Sequence, residues 1–375
     1  MVACSDVSKF CFVIHPVSFE DVVRYEPGAA GKGRPIIAKI LEWMPSYAAA
    51  HLTGIRTPDG RETEGWFVAA PLMPEQMLEL PREAVYERIL KAIQIGVDLG
   101  ADVAGLGAFT GIVGDGGITL NDRASIPVTT GNSLTIAAGV RSFFRGCAEM
   151  GVDPKSATVA VIGATGSIGG AIVELIADRV GHIVLCARNE TRVRKFQAAI
   201  ADRLACSTSI EMDVGAAVRQ AHCVITATSS TKDIIQPEDL QTGAVVVELS
   251  LPHDVSRRVA QLRPDVLVIE GGNMRVPGNF RAERMREPGT EFSLGLPPGT
   301  ALACMSETML LALANRIEPY TLGRGIDVNK VREIDALADD AGFELADMRA
   351  FDLAITPEQM ARTRAAADAR RSIAV

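Results

Sequence analysis

A glycine-rich turn between a candidate strand and a candidate helix restricts the fold of this chain more than any other feature. The stretch VAVIGATGSIGGA places three glycines directly after a run of apolar, β-branched residues. Such a turn lets backbone N–H groups approach a pyrophosphate, and the following helix adds partial positive charge at its N-terminus. In this strand–turn–helix context, the motif predicts a dinucleotide-binding loop made of Gly163, Thr165, Gly166, Ser167, Ile168 and Gly169.

The sequence around this turn alternates between apolar strands and helices from residue 157 to about residue 275. Further buried-strand candidates follow the turn: HIVLCAR, STSIEMD, HCVITATS, AVVVELS and DVLVIEGG. Their spacing is typical of a doubly wound parallel sheet, which predicts an α/β fold with a central Rossmann domain. Thr226, Ala227 and Thr228 end one of these strands, so we expect them at the cofactor site.

The regions on either side of residues 157–275 complete the predicted domain organisation. A chain of 375 residues is longer than a single compact core usually supports. Residues 1–131 carry strand and helix patterns and are predicted to form an α/β substrate domain, which residues 132–156 connect to the Rossmann domain through a linking helix. Residues 276–375 are predicted to be mostly helical. We expect the first and last regions to build the substrate-binding part together.

Composition excludes several classes of function. The net charge of −8 argues against nucleic acid as the main partner. No apolar run reaches the roughly 18 to 20 residues of a membrane span, and the start MVACSDVSKFCFVIHPV does not have the pattern of a signal peptide. Seven cysteines without CxxC spacing suit neither a disulfide framework nor a zinc site, and no metal-ligand cluster is predicted. We expect a soluble, cytoplasmic protein with free thiols.

The residues after the second predicted Rossmann strand indicate which nicotinamide cofactor is bound. An NAD site normally carries Asp or Glu there, which binds the ribose 2′-OH. In CARNETRVRK, Arg188 and Asn189 take that place, and Arg192 and Arg194 follow. A guanidinium matches a 2′-phosphate in geometry and charge. The sequence therefore favours NADP(H) over NAD.

An almost entirely apolar helix near the C-terminus carries the candidate nucleophile. The stretch LPPGTALACMSETMLLALANR places Cys304 near the helix start and Glu307 one turn later. If Thr300 caps this helix, the helix field lowers the pKa of the Cys304 thiol, and a thiolate can attack a thioester or an aldehyde. The alternative is an inert cysteine, since free cysteines are among the most buried residues. Glu307 would then pair with an arginine.

His15 is a candidate proton donor because it ends the apolar strand candidate FCFVIHPVS. A structural role is the alternative for His15, and Glu307 competes with it as the donor. The Tyr-x-x-x-Lys pair of short-chain dehydrogenases is absent, since Tyr320 is the only tyrosine after the glycine turn and has no lysine at that spacing. A short-chain dehydrogenase is therefore excluded.

Several stretches together resemble the long-chain acyl-[acyl-carrier-protein] reductases best known from cyanobacteria. In chain order they are FVIHPVSFE, GAFTGIV, TTGNSLTIA, VAVIGATGSIGGAI, ARNETR and ACMSETMLL, and the resemblance extends from about residue 10 to about residue 345. It implies reduction of a fatty acyl thioester to a fatty aldehyde with NADPH. In this resemblance Cys304 matches the acyl-accepting cysteine, the glycine turn matches the NADPH loop, and Arg188 and His15 match residues of the family pattern.

The resemblance also implies partners and a metal effect. The acyl group would arrive on acyl carrier protein or on coenzyme A, a downstream enzyme would consume the aldehyde, and Mg²⁺ would stimulate the reaction. Two stretches differ from the family pattern: the loop at residues 278–298, and Leu134, which replaces a histidine. Both affect the expected acyl tunnel and hence the chain length accepted.

Two other functions fit parts of the sequence. The domain order is also similar to shikimate-type and amino-acid dehydrogenases, which act on small polar substrates without a covalent step. That alternative predicts lysine or aspartate as catalytic groups and makes Cys304 dispensable. A non-catalytic NADP-binding sensor is the third possibility, but it leaves the Cys304 and Glu307 arrangement without a purpose.

A local cluster of arginines precedes the cysteine-bearing helix in an otherwise acidic chain. The stretch GGNMRVPGNFRAERMRE contains Arg275, Arg281, Arg284 and Arg286. Since acyl carrier proteins are strongly acidic, this face is a candidate docking site for the carrier. The alternative is a solvated helix face whose arginines pair with neighbouring glutamates.

Overall fold

The chain folds into two compact units in a computed structural model that describes residues 8–373. The first unit comprises the chain up to Leu134 together with Met274–Gly325 and Arg332–Glu344. The second comprises Thr135–Asn273, Ile326–Val331 and the chain from Leu345 onward. The two units therefore divide the last hundred residues between them, whereas the sequence pattern placed residues 276–375 in one helical region.

Helices are spread over both units. The α-helices are α1 (Phe19–Tyr25), α2 (Arg34–Trp43), α3 (Pro74–Glu79), α4 (Arg82–Asp98), α5 (Phe109–Ile112), α6 (Ile118–Arg123), α7 (Asn132–Met150), α8 (Ser167–Ile176), α9 (Glu190–Ile200), α10 (Val214–Arg219), α11 (Arg258–Leu262), α12 (Ala303–Leu313), α13 (Val328–Ala341) and α14 (Pro357–Ile373). Short 3₁₀ turns lie at Pro27–Ala29, Pro154–Ser156, Ala201–Arg203 and Pro237–Asp239. None of the helices within residues 8–373 is long and apolar enough to cross a membrane. The signal-peptide expectation rests partly on residues 1–7, which lie outside the described residues.

Strands form one sheet of six strands in each unit and several short pairings. The strands are β1 (Phe10–Ile14), β2 (Tyr47–Arg56), β3 (Glu62–Ala69), β4 (Val103–Leu106), β5 (Val128–Thr129), β6 (Thr158–Ile162), β7 (His182–Cys186), β8 (Ser207–Glu211), β9 (Cys223–Thr226), β10 (Val245–Glu248), β11 (Leu267–Glu270), β12 (Asn273–Arg275), β13 (Gly278–Arg284), β14 (Thr300–Leu302), β15 (Glu344–Leu345), β16 (Arg349–Ala350) and β17 (Leu353–Ala354).

The sheet of the first unit is mixed, with the order β13-β2-β3-β1-β4-β5. Strands β3, β1, β4 and β5 run parallel, whereas β2 and β13 are antiparallel to their neighbours. β13 contains Arg281 and Arg284, so this stretch is an edge strand and the alternative of a solvated helix face is wrong. The alternation of exposed and half-buried residues along β13 has the two-residue period of a strand with one solvent-facing side.

Two helices cover opposite faces of this first sheet. Cys11 and Val13 of β1 belong to one fully buried cluster with Val85 and Ile89 of α4, which follows from the two-residue period of a strand. Helix α12 packs against β1, β3 and β4. A Cβ added to Gly105 in β4 would lie 2.1 Å from Thr308 Oγ1. This glycine therefore lets α12, which carries Cys304, lie directly on the sheet.

The sheet of the second unit is entirely parallel, with the order β11-β10-β9-β6-β7-β8. Its central strands are buried and rich in Val and Ile, as expected when helices cover both faces. This order is that of the doubly wound dinucleotide-binding fold, in which strand order reverses between β6 and β9. The predicted α/β fold with a parallel Rossmann sheet is confirmed.

Candidate active site

Cys304 lies in the first turn of α12, but the local geometry differs from the expectation. Thr300 belongs to β14 and its hydroxyl donates to the Pro297 carbonyl at 2.6 Å, so the prediction that Thr300 caps the helix is wrong. The N-cap is Leu302, and no side chain caps the helix. Cys304 is therefore the second helical residue. It is partly accessible, whereas every other residue of α12 is buried.

The environment of the Cys304 thiol opposes its ionisation. Burial of the sulfur raises the pKa of the thiol to about 12, and the negative charge of Glu307 acts in the same direction. The N–H of Met305 at the helix start acts in the opposite direction but is outweighed. The expectation that the helix field lowers this pKa below its usual value is wrong, because desolvation is the larger effect.

Gly131 provides the space that the Cys304 backbone occupies. It has a φ of +71°, and a Cβ added there would lie 2.3 Å from Cys304 Cα and 2.5 Å from its Cβ. Any side chain at this position would collide with the cysteine backbone. The stretch TTGN and the stretch ACMSE, far apart in the sequence, are therefore packed directly against each other.

Glu307 is fully buried and connects three segments of the first unit. Its carboxylate accepts hydrogen bonds from the hydroxyls of Thr129 at 2.5 Å and Thr321 at 2.8 Å, and from the Leu134 N–H at 2.9 Å. Since Leu134 lies in the first turn of α7, the carboxylate interacts with the positive end of that helix dipole. Burial raises the pKa of Glu307, and these hydrogen bonds partly counteract the rise. No arginine pairs with Glu307 in residues 8–373.

His15 follows β1, and both of its ring nitrogens are engaged. The Phe109 N–H donates to Nε2 at 3.1 Å, and Nδ1 lies 3.0 Å from the Pro16 carbonyl, which can only accept. These partners fix a neutral imidazole with its proton on Nδ1. Burial lowers the pKa of His15 to about 4. The imidazole fixes the turn at Ala108, whose φ of +45° is unusual for a residue other than glycine.

A pocket of the first unit lies beside the start of α12. Its accessible volume is about 50 Å³, which is smaller than that of a typical small-ligand site. Phe67, Phe280, Phe292 and Met305 contribute apolar surface, and Arg281 contributes a cationic group. The loop at residues 278–298, which differs from the family pattern described above, supplies much of this lining.

The four arginines of the predicted docking stretch are not equivalent. Arg284 is largely buried, lies 4.7 Å from the centroid of the Tyr25 ring and is 3.7 Å from Glu287. Arg286 lies over the Tyr47 ring at 5.2 Å. Arg281 is exposed, and its side chain makes no hydrogen bond or ion pair with any residue between positions 8 and 373. Arg275 ends β12 and is also exposed.

The glycine turn of the second unit depends on two residues that have no side chain. Gly163 has a φ of +88°, and a Cβ there would lie 2.3 Å from the Ala227 carbonyl oxygen. A Cβ on Gly169 would lie 2.4 Å from the Gly163 carbonyl oxygen, so only glycine allows α8 to pack on the turn. Gly166 is exposed and no side chain caps α8. Thr165, Ser167 and Ile168 are half-buried around it, which leaves the turn accessible to an anion.

The residues after β7 include an exposed arginine whose side chain is available to a ligand. Arg188 is exposed and has no hydrogen bond or ion pair within the described part of the chain. Asn189 caps α9 by accepting the Arg192 N–H at 2.9 Å, so its side chain has a structural function. Arg192 reaches the Thr165 carbonyl at 3.0 Å, and Arg194 pairs with Glu190 at 2.7 Å.

Thr226, which ends β9, and Thr228 both contact Asp254, a residue that the sequence pattern did not indicate. Thr226 is buried and its hydroxyl donates to Asp254, as does the Thr228 hydroxyl at 2.7 Å. Ala227 between them contacts the glycine turn through its carbonyl oxygen. Nothing in the local pattern of SLPHDVS indicated that this aspartate would be buried.

One group of potential metal ligands occurs among the described residues. Atoms of His253, Glu270 and Asp352 lie within 4.8 Å of one another. Arg257 pairs with Asp352, and Arg349 lies 3.5 Å from Glu270. Magnesium prefers oxygen ligands and retains several waters. A group with an imidazole and with carboxylates already paired to arginines does not fit the Mg²⁺ that the family resemblance implied.

Comparisons with known proteins agree with the architecture of the second unit. The model of the shikimate / quinate 5-dehydrogenase family matches residues 147–270. Two solved structures are similar to part of this chain at low TM-scores. A dipicolinate synthase subunit from Bacillus halodurans has 13% identity and a TM-score of 0.32, and the match covers 51% of this chain and 61% of that one. Glutamyl-tRNA reductase from Methanopyrus kandleri has 18% identity and a TM-score of 0.29, and the match covers 52% and 49%.

Two curated relatives match most of the chain. Aminotransferase PigE of Serratia sp. (strain ATCC 39006) is 29% identical over 290 residues, which is 77% of this chain but only 33% of PigE. This chain thus spans about a third of that protein. Long-chain acyl-[acyl-carrier-protein] reductase of Synechococcus elongatus is 24% identical over 305 residues, which is 77% of this chain and 85% of the reductase. Together with the Rossmann sheet and its glycine turn, the family match identifies an oxidoreductase that uses a nicotinamide cofactor.

Proposed function

We propose that this protein reduces a fatty acyl thioester to a fatty aldehyde with NADPH, through an acyl group carried on Cys304. The observation that carries the proposal is the position of Cys304: it is the only partly accessible residue of an otherwise buried helix, and it lies at the uncapped start of that helix. The match to the Synechococcus reductase over most of its length supports the same chemistry. The same relative supports a thioester of a carrier protein as the substrate.

In the first step the Cys304 sulfur attacks the thioester carbonyl. A new carbon–sulfur bond to Cys304 forms, the bond to the carrier sulfur breaks, and the thiol proton of Cys304 passes to the leaving carrier thiol. The uncapped N–H groups at the start of α12 provide donors for the developing oxyanion. Glu307 does not act as the base in this proposal, because both of its carboxylate oxygens accept hydrogen bonds. It holds α7, β5 and α12 in register instead.

His15 also has a positioning function in this proposal. Its Nε2 accepts the Phe109 N–H, so no ring nitrogen is left to donate a proton to the carrier thiol. The imidazole fixes the strained turn at Ala108, beyond the carboxyl end of β4. Both Glu307 and His15, predicted as competing proton donors, are therefore assigned to the support of the site.

NADPH supplies a hydride when it is bound. The glycine turn with its uncapped helix α8 receives the pyrophosphate, and Arg188 pairs with the 2′-phosphate. Addition of one hydride and one proton from solvent to the Cys304 thioester would give a thiohemiacetal, which would release the aldehyde and regenerate the Cys304 thiol. The residues named hold the cofactor, and Cys304 holds the acyl group.

The pocket beside α12 receives part of the acyl chain, and Arg281 receives the carrier. Three phenyl rings and Met305 provide apolar surface for a chain attached to the neighbouring Cys304. Arg281 at this pocket is exposed and uncommitted, so it is available to an acidic carrier protein or to the phosphate of the carrier arm.

Intact-protein mass spectrometry tests the covalent step. The protein is incubated with palmitoyl thioester and no cofactor, and a mass increase of one acyl group is expected. Cys304→Ala should lose the increase and retain NADPH binding, because the cofactor site belongs to the other unit. Cys206→Ala is the matched control, since Cys206 is the other partly accessible cysteine among the described residues. Acylation of Cys304→Ala would refute the assignment of the acyl group to this thiol.

A dehydrogenase acting on a small polar substrate is the second candidate. The match of the shikimate / quinate 5-dehydrogenase model to residues 147–270 favours it. It requires no covalent intermediate and predicts that Cys304→Ala remains active. An unmodified mass after incubation with the thioester, combined with turnover by Cys304→Ala on a hydroxy acid, would establish this alternative.

A further inference from the structure

A buried aspartate accepts hydrogen bonds from three hydroxyl groups at the carboxyl edge of the second sheet. Asp254 is fully buried, and its carboxylate accepts hydrogen bonds from Thr226, from Thr228 at 2.7 Å and from Ser250. No cation pairs with Asp254 anywhere in residues 8–373. A buried carboxylate without a cation is costly, and here three hydroxyl groups provide its hydrogen bonds.

The backbone of Asp254 is also held firmly. Its N–H donates to the buried carboxylate of Glu248 at 2.5 Å, and its carbonyl accepts the N–H groups of Ile234 and Ile235 at 2.7 and 3.0 Å. The aspartate is therefore fixed to the end of β10 and to a second loop. The flexible partners in this group are the hydroxyls, which turn toward the carboxylate.

The carboxylate determines the direction of every hydrogen bond in this group. Each hydroxyl has one proton, and an ionised carboxylate can only accept, so all three protons point to Asp254. The oxygen lone pairs that remain accept backbone N–H groups: Thr228 accepts Ser230 at 3.1 Å, and Ser250 accepts Thr228 at 2.8 Å. Removing the charge would reverse at least one hydroxyl and leave one of these N–H groups without its acceptor.

The segment organised in this way forms a wall of the predicted dinucleotide site. Thr226 and Thr228 flank Ala227, whose carbonyl oxygen lies 2.3 Å from the position of a Cβ on Gly163. β9 and β6 are neighbours, and strand order reverses between them, which is where this fold binds its cofactor. We propose that Asp254 is a positioning residue that holds residues 226–230 in the conformation required for NAD(P)H binding. The proposal depends on the nicotinamide cofactor of the proposed function, and on no other part of it.

Cofactor titration of Asp254→Asn tests this role. Binding of NADPH and of NADH is followed by nicotinamide fluorescence on the full-length protein. Both dissociation constants should rise roughly ten- to hundred-fold, since a buried network loses one to two charge-assisted hydrogen bonds. Their ratio should stay unchanged, because Asp254 is held at the end of β10 whereas Arg188 follows β7, and β9 and β6 lie between these two strands. A change confined to NADPH would overturn the proposal.

Asp265→Asn is the matched control. Asp265 is an equally buried carboxylate of the same unit, but its partners are Arg263 and Arg370. Its substitution should lower the melting temperature and leave both cofactor dissociation constants within about two-fold of wild type. Equal weakening of cofactor binding by the two substitutions would mean that Asp254 acts only through general stability, and the proposal would fail.

Two further measurements keep the test decisive. If Asp254→Asn does not fold, Thr228→Val removes one donor to the carboxylate and the acceptor of the Ser230 N–H, and a several-fold weaker affinity is expected for both cofactors. Unchanged affinity in that variant overturns the proposal. Acylation of Cys304 without cofactor should be normal in Asp254→Asn. If the wild-type protein is not acylated, the acyl-enzyme mechanism is refuted. If Asp254→Asn is acylated normally and binds both cofactors with unchanged affinity, only the role of Asp254 is refuted.

Discussion

The backbone of Cys304 occupies the space that a side chain at position 131 would need. Gly131→Ala therefore tests how strictly the site depends on the close packing of Gly131 against Cys304. The added Cβ would lie 2.3 Å from Cys304 Cα and 2.5 Å from its backbone oxygen, so one backbone must retreat by roughly 1 Å or more. The φ of +71° adds a penalty of about 1 to 2 kcal/mol for a non-glycine residue. Overpacking adds about 1 to 3 kcal/mol. The substitution should therefore destabilise the protein by about 2 to 5 kcal/mol.

Gly31→Ala separates the two contributions. Gly31 has a similar φ of +77°, but no atom lies within 4 Å of the position of its Cβ. In this control the free energy of unfolding should fall only by the conformational penalty of the positive φ, about 1 to 2 kcal/mol. Chemical denaturation measures both free energies of unfolding, and the rate of Cys304 acylation by palmitoyl thioester measures the effect on the site. We expect about hundred-fold slower acylation in Gly131→Ala, because misplacement by about 1 Å has an effect of that size.

The comparison of the two alanine variants can refute this reasoning. If Gly131→Ala and Gly31→Ala are equally stable and acylate at the same rate, then Cys304 is not held by this contact. NADPH affinity should be unaffected in both, since the glycine turn lies in the second unit.

Three other predictions concern single residues. Arg188→Ala should weaken NADPH by roughly ten- to hundred-fold and NADH hardly at all. In the same titration Arg194→Ala, whose guanidinium pairs with Glu190, should change neither. Arg281→Glu should lower kcat/KM for an acyl-carrier-protein substrate, most strongly at low salt, and should spare a small acyl thioester; an equal effect on both substrates would exclude a docking function. Because the pKa of His15 falls from 6.5 to about 4 on folding, the unfolded state binds a proton first as the pH drops. The free energy of unfolding should therefore decrease by about 2 to 3 kcal/mol between pH 7 and pH 4.5 through this residue, and denaturation of His15→Asn should lack that part of the decrease.

The elements that depend on local patterns were predictable from the sequence. The helix expected at residues 132–150 is α7, Asn132–Met150, and the strand expected in ATVAVIG is β6, Thr158–Ile162. Apolar periodicity and the glycine turn are sufficient for such elements, because every residue that defines them lies within one short stretch. The same applies to the parallel Rossmann sheet, which follows from the alternation of strands and helices.

The elements that depend on distant partners were not predictable. β13 pairs with β2 more than two hundred positions earlier in the chain, and nothing in its sequence shows this. Glu307 was expected to pair with an arginine or to donate a proton. It instead accepts hydrogen bonds from Thr129 and Leu134, over 170 residues away. Threonine is a common helix N-cap residue, but Thr300 belongs to strand β14 and does not cap the helix. In each case tertiary contacts outweighed local preference.

The resting state of Cys304 limits how the proposed chemistry begins. Burial raises the pKa of the Cys304 thiol to about 12, so the neutral thiol is the dominant form at pH 7. Glu307 cannot correct this, because its oxygens are occupied by hydrogen bonds and its charge raises the pKa of the thiol further. Desolvation is the largest cause, so the thiol becomes reactive only when another group replaces the lost solvation of the anion. The N–H groups at the uncapped helix start are the donors within the first turn, and a thioester carbonyl placed against them would develop its negative charge there as the sulfur attacks. In the proposed mechanism, attack by the sulfur and transfer of its proton to the departing carrier sulfur would then be a single event, so a cysteine held neutral would still be able to accept an acyl group.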